Sequence, residues 1–313
     1  MFNFFISKKI YTFVFLLFFK IFRKMVRKFI LYIILISLFS TGFAQVKNGK
    51  QKNLEKYFVE EQWEDLCFKS ERMILGNKYA DDPEVLLYLG YSWSRIFLLC
   101  LEKPELLSKY PEYLDSYKNA LNYAQQAVKK DKKTKTFFPD NNNLLADIAT
   151  IGYYYIDNFV NTKKKYPKAN SFFTKIEKIY SDVNMKFMRA TLAEMSFDTI
   201  TSNEIYNKVF AELDTLKPKP KLATNFYMIE ACDYFAHFQV NKDTVNTANI
   251  ARNINRAKEI IEKVQKIYPD NELLVYLIDY LENPNTSATK PDNKMKSEML
   301  KNLTLSVDGE VED

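Results

Sequence analysis

Apolar residues recur at spacings of three and four through almost the whole stretch from residue 53 to residue 282. This spacing is typical of one face of an α-helix, and no segment shows the alternation in twos that a half-buried strand requires. The 313 residues include only 6 glycines and 10 prolines, too few for the many tight turns of a β-sandwich or barrel. The sequence therefore predicts an all-α protein.

Proline, aspartate and asparagine separate the periodic segments. An Asp or Asn beside a Pro favours a helix start, because the side chain caps free backbone N–H groups and proline is tolerated in the first turn. A hydrophobic content of 47% is enough for a buried core. We predict ten helices, at 52–78, 83–101, 112–130, 143–162, 167–181, 183–198, 202–216, 222–239, 248–268 and 270–282.

The N-terminal region has the pattern of a targeting sequence. From Met25 the chain has two cations, an apolar run of about 11 residues, and small residues ending at Ala44. We therefore predict a secretory signal peptide at 25–44, cleaved before Gln45, and interpret 1–24 as an upstream extension from a misassigned start. The alternative is an uncleaved anchor, although an apolar run of this length is short for a membrane span.

A signal peptide implies export, to the periplasm or the cell exterior. Position 45 is Gln rather than the Cys of a lipoprotein, so we expect no lipid anchor. We expect membrane contact only through an uncleaved signal segment.

The positive charge of the chain is concentrated in this leader. The formal net charge is +6, and residues 1–44 contain seven of the 45 basic residues and no acidic residue. The remainder has 38 basic against 39 acidic residues, which gives no net field to attract a phosphate backbone. We expect no nucleic-acid partner.

Residues suited to catalysis are scarce in the sequence. His237 is the only histidine, which excludes histidine-based metal clusters and most acid–base dyads. There is no glycine-rich phosphate loop and no nucleophile elbow. We interpret the three cysteines, Cys67, Cys100 and Cys232, as small core residues. The sequence therefore predicts a non-enzymatic protein without a cofactor or a metal.

Two side-chain patterns repeat along the helices. In the first, apolar residues lie four and one positions before a small residue, and an aromatic residue lies three positions after it. The small residue lets two helix backbones approach closely. The second pattern, on the partner helices, has small or apolar residues spaced by four and three. The first sets are Leu86, Leu89, Gly90, Trp93; Ile148, Ile151, Gly152, Tyr155; and Met228, Ala231, Cys232, Phe235, and the second sets are Ala120, Ala124, Ala127; Ala169, Phe173, Ile176; and Ala257, Ile261, Val264.

These patterns resemble those of the tetratricopeptide-repeat (TPR) family. Pro269, 12 residues after Ala257, stands where that family commonly has a proline, and 183–216 has the family's repeat length of 34 residues. The loops between the paired patterns are longer than in the family. The resemblance implies a right-handed α-solenoid of TPR-like antiparallel hairpins over 45–282, and we expect the polar segment 283–313 to be a mobile tail.

The resemblance also implies a concave groove. Its residues are the one after each small position and the one a turn further on. Tyr and Arg in a rigid groove favour binding of a protein or peptide partner, although these rings could instead be core and the charges ordinary surface. The groove positions are Tyr91, Arg95, Tyr153, Asp157, Asp233 and His237.

Two other functions remain open. The aromatic content of 15% favours a glycan-binding helical protein of a nutrient-uptake system, although such proteins usually carry a lipoprotein cysteine. An α/α-toroid sugar hydrolase is also built from helical hairpins, but no repeated acidic pattern is present here.

Three Asp-Thr-aliphatic tripeptides lie in predicted joints between helices. They resemble the acceptor of a bacterial O-glycosylation system that modifies exported proteins. The alternative is that Asp-Thr is a common turn or capping pair. The acceptors would be Thr199, Thr215 and Thr244.

The phrase Lys-Ile-Tyr occurs twice, at 178–180 and at 266–268, and an aspartate follows two residues later in each copy. We interpret each copy as the end of a second hairpin helix. Asp182 and Asp270 are then predicted to cap the helices that follow.

Overall fold

The structure, a computed structural model, describes residues 49–134, 137–215, 224–242, 245–285 and 289–298. Within these ranges the chain forms helices and contains no strand, which confirms the prediction of an all-α protein. The predicted leader, 1–24 and 25–44, lies outside the described residues.

Twelve α-helices follow one another from Lys52 to Glu282 in the described part of the chain, and residues 294–298 are also helical. A 3-10 segment (Pro111–Asp115) precedes the fifth, and a π-helical segment (Asn158–Thr162) follows the sixth. The helices are α1 (Lys52–Val59), α2 (Trp63–Leu75), α3 (Pro83–Glu102), α4 (Glu105–Lys109), α5 (Ser116–Thr134), α6 (Phe138–Asp157), α7 (Tyr166–Glu177), α8 (Val183–Met195), α9 (Thr199–Thr215), α10 (Asn225–Asn241), α11 (Thr247–Gln265) and α12 (Glu272–Glu282).

The helices differ from the predicted ones chiefly near the N-terminal end of the domain. The predicted helix 52–78 is two helices, α1 and α2, because the backbone turns at Glu61, whose φ is 55°. Neither glycine nor proline marks this turn, so the sequence pattern did not indicate it. The short helix α4, between Pro104 and Pro111, was also not predicted.

The starts of α8 and α12, which follow the two copies of Lys-Ile-Tyr, test the predicted capping residues. Asp182 caps α8 as predicted, because its Oδ1 accepts hydrogen bonds of 3.0 Å from two backbone N–H groups of the first turn. At the second copy the prediction of Asp270 was wrong by one residue. The chain makes a turn at 269–270, and Asn271 caps α12 by accepting a 3.2 Å hydrogen bond from the N–H of Leu274.

Helices pair in the way the small-residue patterns predicted. α3 packs along α5, α6 beside α7, and α10 along α11, while α8 packs along α9. A Cβ on Gly90 would lie 3.0 Å from the carbonyl oxygen of Ala120 and from the nitrogen of Ala124. A Cβ on Gly152 would lie 2.7 Å from Cδ1 of Ile176. In both hairpins the absence of a side chain permits the close approach of two helices.

Helix α10 is largely buried and contacts several other helices. It packs on α8, α11 and α12, and its side chains also reach α6 and α7. The hydroxyl of Tyr227 donates to the carbonyl of Ala149 at 2.7 Å, and its ring centre lies 5.6 Å from that of Phe173. In an ideal solenoid each repeat contacts only its neighbours, whereas the contacts between α10 and α6 skip the α8–α9 hairpin.

The cysteines and the apolar helix α3 belong to the core. All three cysteines are free and buried, as predicted, and burial raises the pKa of Cys67 to about 12. Among the described helices, α3 has the length and composition of a membrane span, and 83% of that stretch is buried inside the protein.

Candidate functional site

A cluster of polar side chains lies where α6 faces α10. The hydroxyl of Tyr153 donates to Oε2 of Glu230 at 2.6 Å, and the hydroxyl of Tyr234 donates to Oδ1 of Asp157 at 2.8 Å. These two hydrogen bonds run in opposite directions between the helices and fix their register. We call the set the α6–α10 cluster, and its members are Tyr153, Asp157, Glu230, Asp233, Tyr234 and His237.

Helical spacing places these residues side by side. On α6, Tyr153 and Asp157 are four residues apart, and on α10 the spacings from Glu230 to Asp233 and on to His237 are three and four. Residues at these spacings share one face of a helix. Because Glu230 is only 4% exposed, its carboxylate is stable there only with hydrogen-bond partners.

Tyr153 is the hydrogen-bond donor that α6 provides to Glu230. The ring is 3% exposed. Burial, and then the negative charge of Glu230, raise the pKa of Tyr153 far above its ordinary value. The phenol therefore stays protonated and acts as a hydrogen-bond donor to the carboxylate at any physiological pH.

Asp233 and His237 form an ion pair one turn apart. Nδ1 of His237 lies 3.3 Å from Oδ1 of Asp233 and 2.9 Å from its carbonyl oxygen. The hydrogen bond to Asp233 raises the pKa of His237 above 6.5, against the opposing effect of burial. Burial alone would raise the pKa of Asp233, but the hydrogen bond from His237 and the charge of Lys290 outweigh it and lower this pKa. Asp233 is thus a fixed negative charge.

The segment 289–298, which we call the tail segment, lies against this cluster. Nζ of Lys290 lies 2.6 Å from Oδ2 of Asp233. The side-chain amide of Asn293 donates to Oε1 of Glu230 at 2.9 Å, and Nζ of Lys296 donates to the hydroxyl of Tyr153 at 2.8 Å. The tail segment belongs to the part of the chain that the sequence predicted to be mobile.

Along the tail segment, the backbone passes from irregular to helical structure at Asn293. Residues 289–293 have no regular structure and 294–298 are helical. Asn293 lies at the start of this helical turn, and its Oδ1 accepts a 3.3 Å hydrogen bond from the N–H of Lys296. Its side chain therefore serves both the segment's own backbone and Glu230, and the residue is 5% exposed.

Each lysine of the tail segment contacts an acidic residue. Besides the pair of Lys290, Nζ of Lys296 lies 3.3 Å from Oε2 of Glu230 and 4.8 Å from the ring centre of Tyr153. Nζ of Lys294 lies 2.7 Å from Oε1 of Glu272 on α12. The three lysines of the segment therefore pair with acidic residues of the helices.

The other two predicted groove residues form a separate buried cluster. Tyr91 and Arg95 are 2% and 4% exposed, and Nη2 of Arg95 donates to the hydroxyl of Tyr91 at 2.6 Å. That hydroxyl lies 3.3 Å from Oδ2 of Asp147 on α6, and the guanidinium lies 5.5 Å from the ring centre of Trp63 on α2. Burial raises the pKa of Asp147 to about 6, although Arg95 opposes the shift.

Sequence reasoning thus named four members of the α6–α10 cluster and missed two, Glu230 and Tyr234. Glu230 lies three residues before Asp233, so its position on the same helix face was visible in the sequence. The predicted groove included only two positions on each helix, the residue after the small residue and the one a turn further on. Glu230 and Tyr234 are at neither position. The tail segment has no apolar periodicity, and its place against the cluster depends on long-range contacts that spacing does not reveal.

The predicted glycosylation sites remain predictions. Thr199 and Thr215 are exposed at the two ends of α9, and Thr244 lies outside the described residues. Asp198 accepts a 3.1 Å hydrogen bond from the N–H of Thr201, which is the capping role that an Asp-Thr pair commonly has. The hydroxyl of Thr215 donates to the carbonyl of Glu212 at 2.8 Å.

Comparison with protein-family models gives no match to this chain, and comparison with curated proteins gives none either. The fold and the site define the class of protein: an all-α chain of packed helices, compatible with a helical repeat protein, in which one polar cluster holds a peptide segment.

Proposed function

We propose that this chain is an exported, non-enzymatic scaffold that binds a peptide segment of a protein partner at the α6–α10 cluster. The scaffold is built of TPR-like hairpins stacked as a right-handed α-solenoid, which departs from ideal stacking where α10 contacts α6. The paired helices with small residues at their closest points support the TPR-like part of this proposal. The signal-peptide pattern at 25–44 supports export.

One observation supports peptide binding above all others. The cluster holds ten residues of irregular and helical-turn conformation, 289–298, through side-chain contacts to Asp233, Glu230 and Tyr153. Charge-assisted hydrogen bonds of this kind are about twice as strong as neutral ones. A rigid surface that satisfies a peptide of this chain in this way has the chemistry to accept a similar peptide from a partner.

The glycan-binding alternative receives less support from the site. Sugar-binding sites use aromatic rings as exposed faces, but with the tail segment in place Tyr153 and Tyr234 are each only 3% exposed. Their hydroxyls are also committed to Glu230 and Asp157. We therefore place peptide binding first.

A screen of random 12-residue peptides against the full chain tests the proposal. It is run in parallel on the wild type and on a Lys290→Ala, Lys296→Ala double variant, since the tail segment occupies the surface. We expect both proteins to select peptides, with binding weakened by Glu230→Gln and by Asp233→Asn. Glu259→Gln is the matched control, because Glu259 is an exposed carboxylate on α11 that contacts Lys263.

Two results would contradict the proposal. One is that neither protein selects any peptide. The other is that the selected peptides bind equally well to the Glu230→Gln, Asp233→Asn and Glu259→Gln variants. Retention of the chain on immobilised polysaccharide, without peptide binding, would favour the glycan-binding function instead.

A further inference from the structure

We infer that the tail segment is an internal copy of the peptide that the α6–α10 cluster recognises, and that the external partner presents the same pattern, Lys-x-x-Asn-x-x-Lys, and displaces it. This inference rests on the proposed peptide-binding function and adds the chemistry of the partner. The pattern corresponds to Lys290, Asn293 and Lys296.

The contacts of the tail segment are those of an exchangeable ligand. Its contacts with the α6–α10 cluster, as described, are hydrogen bonds, ion pairs and a cation–π contact. The hairpins, in contrast, are joined by buried apolar side chains and close backbone contacts. The lysine side chains keep partial access to water, with 43% of Lys290 and 31% of Lys296 exposed. A partner can therefore replace the segment without opening the helical core.

The cluster specifies the two outer positions as lysine. Asp233 is held as an anion and takes the first amine at 2.6 Å. The second amine lies between the hydroxyl of Tyr153 and the carboxylate of Glu230, over the face of the Tyr153 ring. An ammonium group satisfies a carboxylate, a phenol oxygen and a ring face together, because it has three N–H donors and a positive charge. A neutral or acidic residue in place of Lys296 would leave the buried Glu230 carboxylate without its counter-charge, and one in place of Lys290 would leave Asp233 paired with His237 alone.

The central position specifies an amide. The Nδ2 group of Asn293 donates to Oε1 of Glu230 and reaches the carbonyl oxygen of Phe226 at 3.5 Å, while its Oδ1 caps the following turn. An aspartate would keep the cap but place a second carboxylate against Glu230. Asparagine and aspartate at this position differ only by an NH₂ group in place of an oxygen. Comparing them therefore tests the contact with Glu230 while the cap of the helical turn is kept.

Covalent attachment gives the tail segment an advantage over any free peptide. Only seven residues separate Glu282, the last residue of α12, from Lys290. A short linker produces an effective concentration on the order of millimolar. The affinity observed for an external peptide is reduced by the fraction of time that the internal copy occupies the site.

A binding titration with a defined peptide tests this inference. The probe is a fluorescein-labelled synthetic peptide with the sequence of residues 289–298, added to the full chain. We expect the Lys290→Ala, Lys296→Ala variant to bind it about tenfold more tightly than the wild type, because the internal competitor is weakened. The control is a Lys56→Ala, Lys263→Ala variant, which removes two exposed lysines elsewhere and is expected to bind as the wild type does.

The recognition pattern is tested with the same titration. A peptide with aspartate at the position of Asn293 is expected to bind the double variant about tenfold more weakly, since a like charge faces Glu230. Glu230→Gln in the double-variant background is expected to weaken binding of the unmodified peptide by a similar factor of about ten. Asp233→Asn provides a second site variant should Glu230→Gln fail to fold, as judged by circular dichroism.

Equal affinity of the wild type and the double variant would overturn the internal-copy inference, as would equal binding of the asparagine and aspartate peptides or absence of binding. In each of these cases the random-peptide screen still reports separately on the proposed function. Peptides selected there without the lysine–asparagine–lysine pattern would leave the peptide-binding function standing and refute this partner.

Discussion

At the scale of single residues, burial and charge give the α6–α10 cluster its chemistry. His237 is the clearest case, because it is held between Asp233 and the ring of Tyr280, whose centre lies 4.8 Å away. Its hydrogen bond to Asp233 raises the pKa of His237 above 6.5, while burial and the nearby charge of Lys290 lower it. The imidazolium and the carboxylate stabilise each other.

The pKa of His237 in the folded chain is accessible to direct measurement. Since His237 is the only histidine, its imidazole proton resonances in an NMR pH titration are unambiguous. We expect a midpoint above 6.5 in the wild type and a lower one in Asp233→Asn, because the partner that favours the charged form is lost. Asp270→Asn, in the loop before α12, is expected to leave the midpoint unchanged.

The sign of the accompanying stability effect follows from the raised pKa. The contribution of His237 to the free energy of unfolding is fully present below its pKa in the unfolded chain, about 6.5. It is lost as the pH rises through the higher pKa of the folded chain. Identical titration midpoints in the wild type and in Asp233→Asn would show that the pair does not exist in solution.

Part of the site was visible in the sequence at this scale, for a physical reason. The resemblance to the TPR family implied Tyr153, Asp157, Asp233 and His237 as groove residues. Helix register explains why each pair lies together, since a helix places residues four apart on one face. The burial of Tyr91 and Arg95 against α2 and α6 did not follow, because the number of neighbours covering a helix face depends on tertiary contacts.

At the scale of helices, the close contact around Gly152 shows what fixes a hairpin. Tyr117 of α5 is 1% exposed, and its hydroxyl donates to the carbonyl of Ile148 at 2.9 Å. A Cβ on Gly152 would overlap this hydroxyl and lie 2.7 Å from Cδ1 of Ile176 on α7. Three helices therefore meet at a position that has no room for a side chain.

Gly152→Ala is expected to destabilise the protein by about 1–3 kcal/mol, through overpacking and loss of the hydrogen bond of Tyr117. Urea unfolding followed by circular dichroism measures the change. Gly76→Ala is the matched control, since a Cβ there meets its nearest atom at 3.5 Å and the φ of −73° suits alanine. We expect this control to be neutral or to stabilise by about 0.4–1 kcal/mol. Equal destabilisation by both substitutions would contradict the packing described here.

The pairing of helices could be predicted more reliably than their ends. Small residues at Gly90 and Gly152 indicated which faces approach one another, because that information is local to each helix. The break between α1 and α2 at Glu61 has no local signal. The contacts of α10 with α6 join residues 77 and 78 positions apart, and a repeat pattern alone predicts contacts only between neighbouring repeats.

At the scale of the helical domain, contacts between hairpins hold α10 in place. Glu194 of α8 is 1% exposed, and its Oε2 lies 3.0 Å from Nη2 of Arg256 on α11. Nζ of Lys242, just after α10, lies 3.7 Å from Oε1 of the same carboxylate. Such a buried ion pair is costly to break from one side. It ties the α8–α9 hairpin to α11 and to the end of α10, the helix that carries Glu230 and Asp233.

The α6–α10 cluster is therefore a surface built from distant parts of the chain and joined by buried hydrogen bonds. α6 supplies Tyr153, α10 supplies three charged residues, and the tail segment covers them. Preorganised polar groups bind a ligand without the entropic cost of ordering the receptor. This arrangement links the fold to the proposed peptide-binding function.

His237 also provides the most direct test of that function, because it lies beside Asp233 at the site itself. The measurement is an NMR titration of the Lys290→Ala, Lys296→Ala chain with the peptide of residues 289–298, observing the His237 imidazole resonances. We expect a saturable shift whose midpoint matches the affinity from fluorescence, and a midpoint at about tenfold higher peptide concentration in the additional Glu230→Gln variant. A peptide that saturates the chain while the His237 resonances stay unmoved would place binding elsewhere and contradict the account.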